Sequence, residues 1–487
     1  MPAWAIAVVS IGGVLLLLIF IVLIRTMLFR PKKRAKDEEK PASIDKEKAV
    51  TSLQALIRCK TISTSDHKDE DKNEFVKLKE TLRTTYPLVF KNCEYQELGP
   101  KELLFHLKGK NGDEKHPAIF MAHFDVVSVE PDRWTEDPFA GVRKNGVLYG
   151  RGTIDTKGTL NGTLRGCEEL LLHGERPEHD FYFAFAGDEE VAGGSAKLAV
   201  KYFKDHSIDP YLVIDEGGAV VNGIFPGVKK NTALIGTAEK GACAMEFHLD
   251  GEGGHASAPA PHTPVGRLGK LAVDIEDHPF HFILSEPVRE MFDILGREST
   301  FTYRMIFANL WLFKPILNKL TKKSGGQLNA LVRTTVALTQ MEGSKATNII
   351  PTKAMIGLNM RLMPPDSVEY ASARLKKLSD KNGIASTPIF SYAWNPSRIS
   401  TTKSEGYSKI KNAIEGTWGD DTLVSPYMMT ACADARFYGE ISDKVYRFSA
   451  MKLRPEQMEM IHGDNEQLND EQIAETVEFY YRLMRSL

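Results

Sequence analysis

The run Phe181-Tyr182-Phe183-Ala184-Phe185-Ala186-Gly187-Asp188-Glu189-Glu190 is where fold and chemistry meet. Its first six residues are apolar without alternation, the pattern of a strand buried on both faces. A glycine ends the run and acids follow. Adjacent glutamates at a strand end point in different directions. One can hold a metal ion while the other faces a substrate as general base. A solvated acidic turn needs no such role, and this run alone does not separate the two.

Short runs of the same kind lie at Ala118–Ala122 and Tyr211–Ile214. Glycine punctuation follows them, as Gly150-Arg151-Gly152, Gly193-Gly194 and Gly217-Gly218. Helical spacing marks Ala49–Ile57 and Phe75–Leu82. This alternation predicts an α/β class. In open parallel sheets, ligands bind beyond the carboxyl ends of the strands. A second region begins near Ala238, with strand-like runs at Ala244–Leu249 and Ala354–Leu362 among helical stretches.

The strand ends carry the reactive side chains. His123 and Asp125 stand two apart, so on an extended strand end they face the same way. A ligating histidine commonly donates its second ring N–H to a carboxylate, which suits His123 as ligand and Asp125 as its orienter. Asp155 follows a glycine-rich turn and precedes a helix expected to start near Gly158. It reads as a helix cap or as a carboxylate bridging two ions. Asp215-Glu216-Gly217-Gly218 ends another apolar run, and His462 lies near the C-terminus. Imidazole and carboxylate donors together suit zinc, and also manganese or cobalt. Two metals sharing a carboxylate beside a free glutamate make a metal-assisted hydrolase site.

Composition narrows the alternatives. With 62 basic and 64 acidic residues the chain has no global basic field, so nucleic acid is not an expected partner. The five cysteines include no CxxC pair, which argues against a disulfide framework or a cysteine-rich zinc site. At 487 residues, about two to four domains fit.

Ala3 to Ile24 contains no charge, and its 22 residues suffice to cross roughly 30 Å of hydrocarbon. It has neither a basic segment before it nor a small-residue cleavage site after it, so an anchor is expected over a cleaved signal peptide. Arg25, Arg30, Lys32, Lys33, Arg34 and Lys36 follow. The positive-inside rule then leans towards a cytoplasmic catalytic part, without settling the side. The sequon Asn161-Gly162-Thr163 falls at the expected floor of the site, where a glycan is a poor fit.

The residues from His123 to His462 resemble, in order, the aminoacylase/carboxypeptidase family of dinuclear zinc hydrolases. The resemblance implies a zinc-peptidase catalytic domain with a mixed central sheet flanked by helices, plus an inserted α+β lid. The implied division is an anchor at 1–24, a basic stalk at 25–44, catalytic parts at 45–237 and 393–487, and a lid and dimerisation domain at 238–392. It implies two zinc ions held by His123, Asp155, Glu190 and His462, with Asp155 bridging. Asp125 is then the orienter and Glu189 the general base. The fifth ligand falls on the Asp215-Glu216 turn, with Glu216 favoured and Asp215 kept open. His255, in Gly254-His255-Ala256-Ser257, resembles a lid histidine that stabilises an oxyanion, often from a partner subunit. Asn348, Arg361 and Arg436 resemble substrate-holding residues, and either arginine suits a carboxylate. A structural ion pair is the plainer role for each arginine.

Ile214–Gly218, Asn309–Ile316, Val332–Thr339 and Tyr446-Arg447-Phe448 resemble one branch more closely. It is the N-fatty-acyl-amino-acid synthase/hydrolase type, with carboxypeptidase S-like members. That resemblance implies cleavage, and in reverse formation, of the amide of N-acyl amino acids. Short peptides are the alternative substrate. Residues 280 to 313 are rich in aromatics, including Phe280, Phe292, Phe307, Trp311 and Phe313. Part of this stretch is expected to line an acyl channel or rest on a bilayer, with ordinary core packing as the alternative.

Overall fold

The computed structural model describes residues 2–32, 42–112, 114–223 and 225–487; Lys33, Arg34 and Lys36 of the basic segment lie outside them. One mixed sheet of eight strands organises the body. From edge to edge its strands are Glu94–Gly99, Glu102–Leu107, Phe181–Ala186, Ala118–His123, Leu212–Val221, Val445–Lys452, Thr232–Glu239 and Leu423–Met429. Ala118–His123 pairs in parallel with both Phe181–Ala186 and Leu212–Val221. Every residue of Phe181–Ala186 and Ala118–His123 is buried, which explains why these runs lack alternation.

Helices cover both faces. On one, Leu160 and Leu164 of helix Lys157–Leu172 and Tyr480 and Leu483 of helix Asp470–Ser486 share a core with Phe120 and Phe183. On the other, Ala199, Val200 and Phe203 of helix Ser195–Asp205 pack over Ile119, Tyr182 and Val213. Asn161 is buried in the first layer, accepting from Tyr86 Oη at 2.7 Å and donating to the Ala49 carbonyl at 3.1 Å.

The strand expected to end at Ile214 continues to Val221. Its register against Val445–Lys452 jumps: Arg447 faces Asp215 and Phe448 faces Gly218. Glu216 and Gly217 are thus extra residues opposite one step of the partner, a bulge that re-aims a side chain without ending the strand. The glycines serve close approach here, not termination.

A four-stranded antiparallel sheet is built from Thr335–Glu342, Lys353–Leu362, Gly241–Asp250 and Ile389–Trp394, in that order. Helices Pro264–Asp277 and Val368–Lys381 pack on it through Leu268, Leu271, Ala371 and Leu375. Helices Glu286–Glu298, Phe301–Ala308, Leu310–Ser324 and Gly326–Ala330 leave this sheet and pack on the body. Met291, Phe292, Leu295 and Phe307 share a buried cluster with Val221, Phe225 and Leu234. At the crossover, the Lys240 ammonium donates to the carbonyls of Ala330 at 3.1 Å and Arg333 at 3.0 Å, and burial pushes its pKa down to about 7.

The N-terminal helix Ala3–Leu28 is long and apolar enough to cross a membrane. Its buried residues are Val22 and Thr26, near its C-terminal end. There Arg25 donates to the Ala308 carbonyl at 3.1 Å, and Asn309 Nδ2 donates to the Val22 carbonyl and to Thr26 Oγ1, both at 3.3 Å. Arg297 lies over the Phe29 ring at 4.3 Å.

The bulge gives a stability prediction. A Cβ on Gly218 would lie 1.7 Å from the Leu234 carbonyl oxygen, a backbone atom of the neighbouring strand. Gly218→Ala is expected to cost at least the about 1–3 kcal/mol typical of overpacking. Gly194→Ala, which meets nothing within 4 Å, is expected to stay within about 0.5 kcal/mol. Urea midpoints of the two variants against the parent check both values.

Candidate active site

Sheet register gathers the reactive residues at one edge. His123 pairs with Ala186, and Phe120 with Ile214, so the three parallel strands carry their polar termini to the same level. Asp155 arrives from the turn before helix Lys157–Leu172. His462 arrives from the C-terminal loop with a left-handed φ of 57°.

Asp155 joins the two imidazoles. Its Oδ1 lies 3.0 Å from His123 Nε2 and its Oδ2 lies 3.1 Å from His462 Nε2. Glu190 Oε2 is 2.9 Å from His462 Nε2, and Glu216 Oε1 is 3.5 Å from His123 Nε2. Two groups of donor atoms, His123 with Asp155 and Glu190 and His123 with Glu189 and Glu216, each lie within 4.8 Å of one another. The bulge turns Glu216 into this cluster. Asp215 does not join it: its carboxylate accepts from the backbone N–H of Glu216 at 2.8 Å and of Ala435 at 2.8 Å. At this turn it is Glu216, and not Asp215, that reaches the cluster.

Asp125 ties the cluster together from behind. His123 Nδ1 lies 3.1 Å from the Asp125 carbonyl oxygen and 3.3 Å from Asp125 Oδ1, which together direct Nε2 at the cluster. The same carboxylate accepts from the N–H of Glu189 at 3.2 Å, the N–H of Glu190 at 3.1 Å and Ser63 Oγ at 2.6 Å. One buried acid thus sets both the imidazole plane and the turn carrying the two glutamates.

Sequence reasoning missed a second such acid. Glu466 is fully buried and accepts from the N–H groups of Gly152, Ile154 and Asp155 at 3.0, 2.6 and 3.0 Å. Arg151 Nη1 pairs with it at 2.7 Å. This knot shapes the loop that presents Asp155. The one available signal was an arginine between the glycines of Gly150-Arg151-Gly152, a place where a solvated charge gains nothing.

Charge crowding shows in the proton affinities. Burial raises the Glu189 carboxyl well above its usual range, with Asp434, Glu216 and Glu190 adding to it against the pull of His123. Burial likewise pushes Glu216 up to about 8. Burial alone would depress His123, but Glu216, Asp125 and Asp155 overcome it and hold the imidazole well above its ordinary value. Hydrogen bonds to Asp155 and Glu190 push His462 up to about 10. Glu190 Oε1 is buried with no hydrogen-bond partner.

A cavity of about 530 Å³ opens on the cluster. Asp155, Glu189, Glu190, Glu216 and His462 form its polar end. Phe225, Leu234, Met291, Leu295, Leu328 and Leu331 form an apolar wall, to which helices Glu286–Glu298 and Gly326–Ala330 contribute. Arg361 also lines it, with Nη1 3.1 Å from Cys432 Sγ. Arg436 is held differently. Its Nη1 donates to the Ala433 carbonyl at 2.8 Å and lies 3.7 Å from Glu189 Oε1, and its guanidinium stacks 4.3 Å from the Phe437 ring centroid.

His255 and Asn348 are brought to each other but not to the cluster. Gly254–His255 pairs with Ile349–Ile350, and Ala256 N–H donates to the Asn348 carbonyl at 3.0 Å. Both residues are exposed and neither lines the cavity. The aromatic stretch divides as well. Phe292, Phe307 and Phe225 meet as tilted rings with centroids 4.9 to 5.8 Å apart in the core. Trp311 and Phe313, expected as channel residues, are absent from the cavity wall, and Trp311 faces outward.

Comparison with known proteins agrees with this fold. Residues 119–486 match peptidase family M20/M25/M40. A probable carboxypeptidase S-like 2 of Dictyostelium discoideum is 32% identical, over 97% of this chain and 92% of its own. The N-fatty-acyl-amino acid synthase/hydrolase PM20D1 of Xenopus tropicalis is 30% identical, over 97% and 93%. Among solved structures, the M20 family metallo-carboxypeptidase Sso-CP2 of Sulfolobus solfataricus superposes with a TM-score of 0.67 at 19% identity, covering 90% of this chain and 98% of that one.

The Arg151–Glu466 knot is testable. Arg151→Ala leaves a buried carboxylate without its counter-charge, at an expected cost of about 3–5 kcal/mol. Arg151→Lys should recover part of it. Urea denaturation reads the loss directly.

Proposed function

The chain belongs to peptidase family M20/M25/M40, and we propose that it is a metal-dependent amidohydrolase acting on N-acyl amino acids with long acyl chains. The observation that carries this reading is the cavity itself, lined both by the carboxylates and His462 of the cluster and by a set of apolar side chains large enough for an acyl chain. The name of the Xenopus tropicalis relative supports the substrate class.

The family is metal-dependent. The donor set fits a cation pair. Asp155 offers one oxygen to each imidazole, and the unpartnered Glu190 Oε1 and the crowded carboxyls are what divalent cations would satisfy. We assign His123, Asp155, Glu190, Glu216 and His462 as ligands, with Asp155 shared. Zinc suits these donors, and manganese or cobalt would occupy the same set. When bound, the ions supply Lewis acidity towards an amide carbonyl and a water of lowered pKa.

The rest is done by side chains. Glu189 takes the proton of the attacking water and passes it to the leaving amine. Asp125 keeps His123 and the Glu189–Glu190 turn in register. Arg436 positions Glu189, and Arg361 receives the free carboxylate of the amino-acid portion. The acyl chain lies along Leu295, Leu328 and Leu331. His255 and Asn348 are read as reaching the oxyanion and the substrate of a second copy, which makes the lid at 238–392 a dimerisation element. Every step is reversible, so concentrations decide between hydrolysis and the condensation of a fatty acid with an amino acid. We read the N-terminal helix as an anchor, supported by the docking of its C-terminal turns.

Glu189→Gln is expected to lower kcat by about 10²–10⁴-fold with the bound metal unchanged. Activity assays paired with metal analysis check this. Leu331→Ala is expected to lower kcat/KM on a long-chain N-acyl amino acid by about 5–30-fold, matching about 1–2 kcal/mol of lost apolar contact, and to spare an N-acetyl substrate. Chelator-sensitive cleavage of dipeptides with none of N-acyl amino acids would move the protein to the peptidase reading.

A further inference from the structure

We propose that helices Phe301–Ala308 and Leu310–Ser324 lie in the interfacial layer of the bilayer crossed by the N-terminal helix, so that the cavity meets its substrate beside lipid. The inference rests on the reading of Ala3–Leu28 as a membrane span. It concerns how the body sits on that membrane.

The first support is the face these helices present. Phe301, Tyr303, Trp311, Leu312, Ile316 and Leu320 are each between 38% and 56% exposed. On Leu310–Ser324, helical spacing sets Leu312, Ile316 and Leu320 in one ridge, with Pro315 and then Trp311 towards the edge of the exposed side. Leu310 and Leu317 turn the other way and pack on the body core. Exposed large apolar side chains grouped in this way mark an interaction site. Lys319, Lys322 and Lys323 share the exposed side with these residues and Lys314 lies at its margin, all exposed. Their stems can lie along apolar surface while the ammonium groups reach headgroups, the composition of an in-plane membrane helix.

The second support is position. The junction of the two helices, Ala308 and Asn309, is bonded to Val22, Arg25 and Thr26 of the N-terminal helix. About 20 helical residues cross the hydrocarbon, so a span starting at Ala3 reaches the lipid–water boundary near residue 22. The junction is therefore held at that boundary. The third support is continuity with the cavity, whose wall takes Met291 and Leu295 from the helix just before this pair and Leu328 from the helix just after it.

The test uses the full chain in phosphatidylcholine vesicles with and without bromine on the acyl chains, which quenches tryptophan in contact with lipid. The parent is compared with Trp311→Phe and Trp4→Phe, each checked for an unchanged urea midpoint. The expected result is that each substitution removes part of the bromine-quenched emission. Quenched emission lost only in Trp4→Phe would overturn the proposal and keep the anchor. Quenched emission lost in neither would overturn the proposal together with the anchor. A Trp311 shielded from both bromolipid and aqueous iodide would overturn it in favour of a second copy covering this face.

Discussion

Buried carboxylates crowd one sheet edge, and what each is given as a partner decides the rest of the structure. An isolated ion in an apolar interior costs several kcal/mol, so each needs a donor. The chain treats its acids in two ways. Asp125 receives two backbone N–H groups and a hydroxyl, Glu466 receives three N–H groups and a guanidinium, and Asp215 receives two N–H groups. These acids are satisfied within the fold and act as its framework. Asp155, Glu190 and Glu216 turn instead to the two imidazoles beside the cavity. The distinction between an acid that shapes a site and one that offers itself to a ligand is therefore visible in its hydrogen bonds.

The region between the two parts of the body serves two neighbours. Its sheet forms a separate core with its own helices, and Arg361 stands on that sheet. Its other helices belong to the core of the body and wall the cavity. A substrate in this cavity touches body, sheet and helices at once. The buried ammonium of Lys240 sits where these parts cross, holding the carbonyls of Ala330 and Arg333. Relative movement of sheet and helices would have to break those bonds.

Much of this was legible in the sequence because the signals were local. His123 and Asp125 are two residues apart on a strand end, and alternation alone puts them together. The glutamate pair and the buried strands could be read within ten residues. What could not be read depended on distant pairings. Which of Asp215 and Glu216 faces the cluster depends on a bulge against Arg447 and Phe448. Glu466 joins Arg151 across 315 residues. The aromatic stretch has enough apolar side chains for a channel, and only packing assigns Phe292 and Phe307 to the core and leaves Trp311 outside. Composition states how much apolar surface must be covered, but not by what.

The docking of the N-terminal helix changes what its removal would mean. A segment that only delivers a chain to a compartment can be excised without trace. This one shields Asn309 and accepts its amide, and it takes the Arg297 guanidinium on Phe29. Excision would uncover the Asn309 amide, which would keep only its bond to the Met305 carbonyl, and a bare apolar seam beside the helices that wall the cavity. A shed form would thus be a different protein in its surface properties, stickier and less firmly braced, rather than the same enzyme set free.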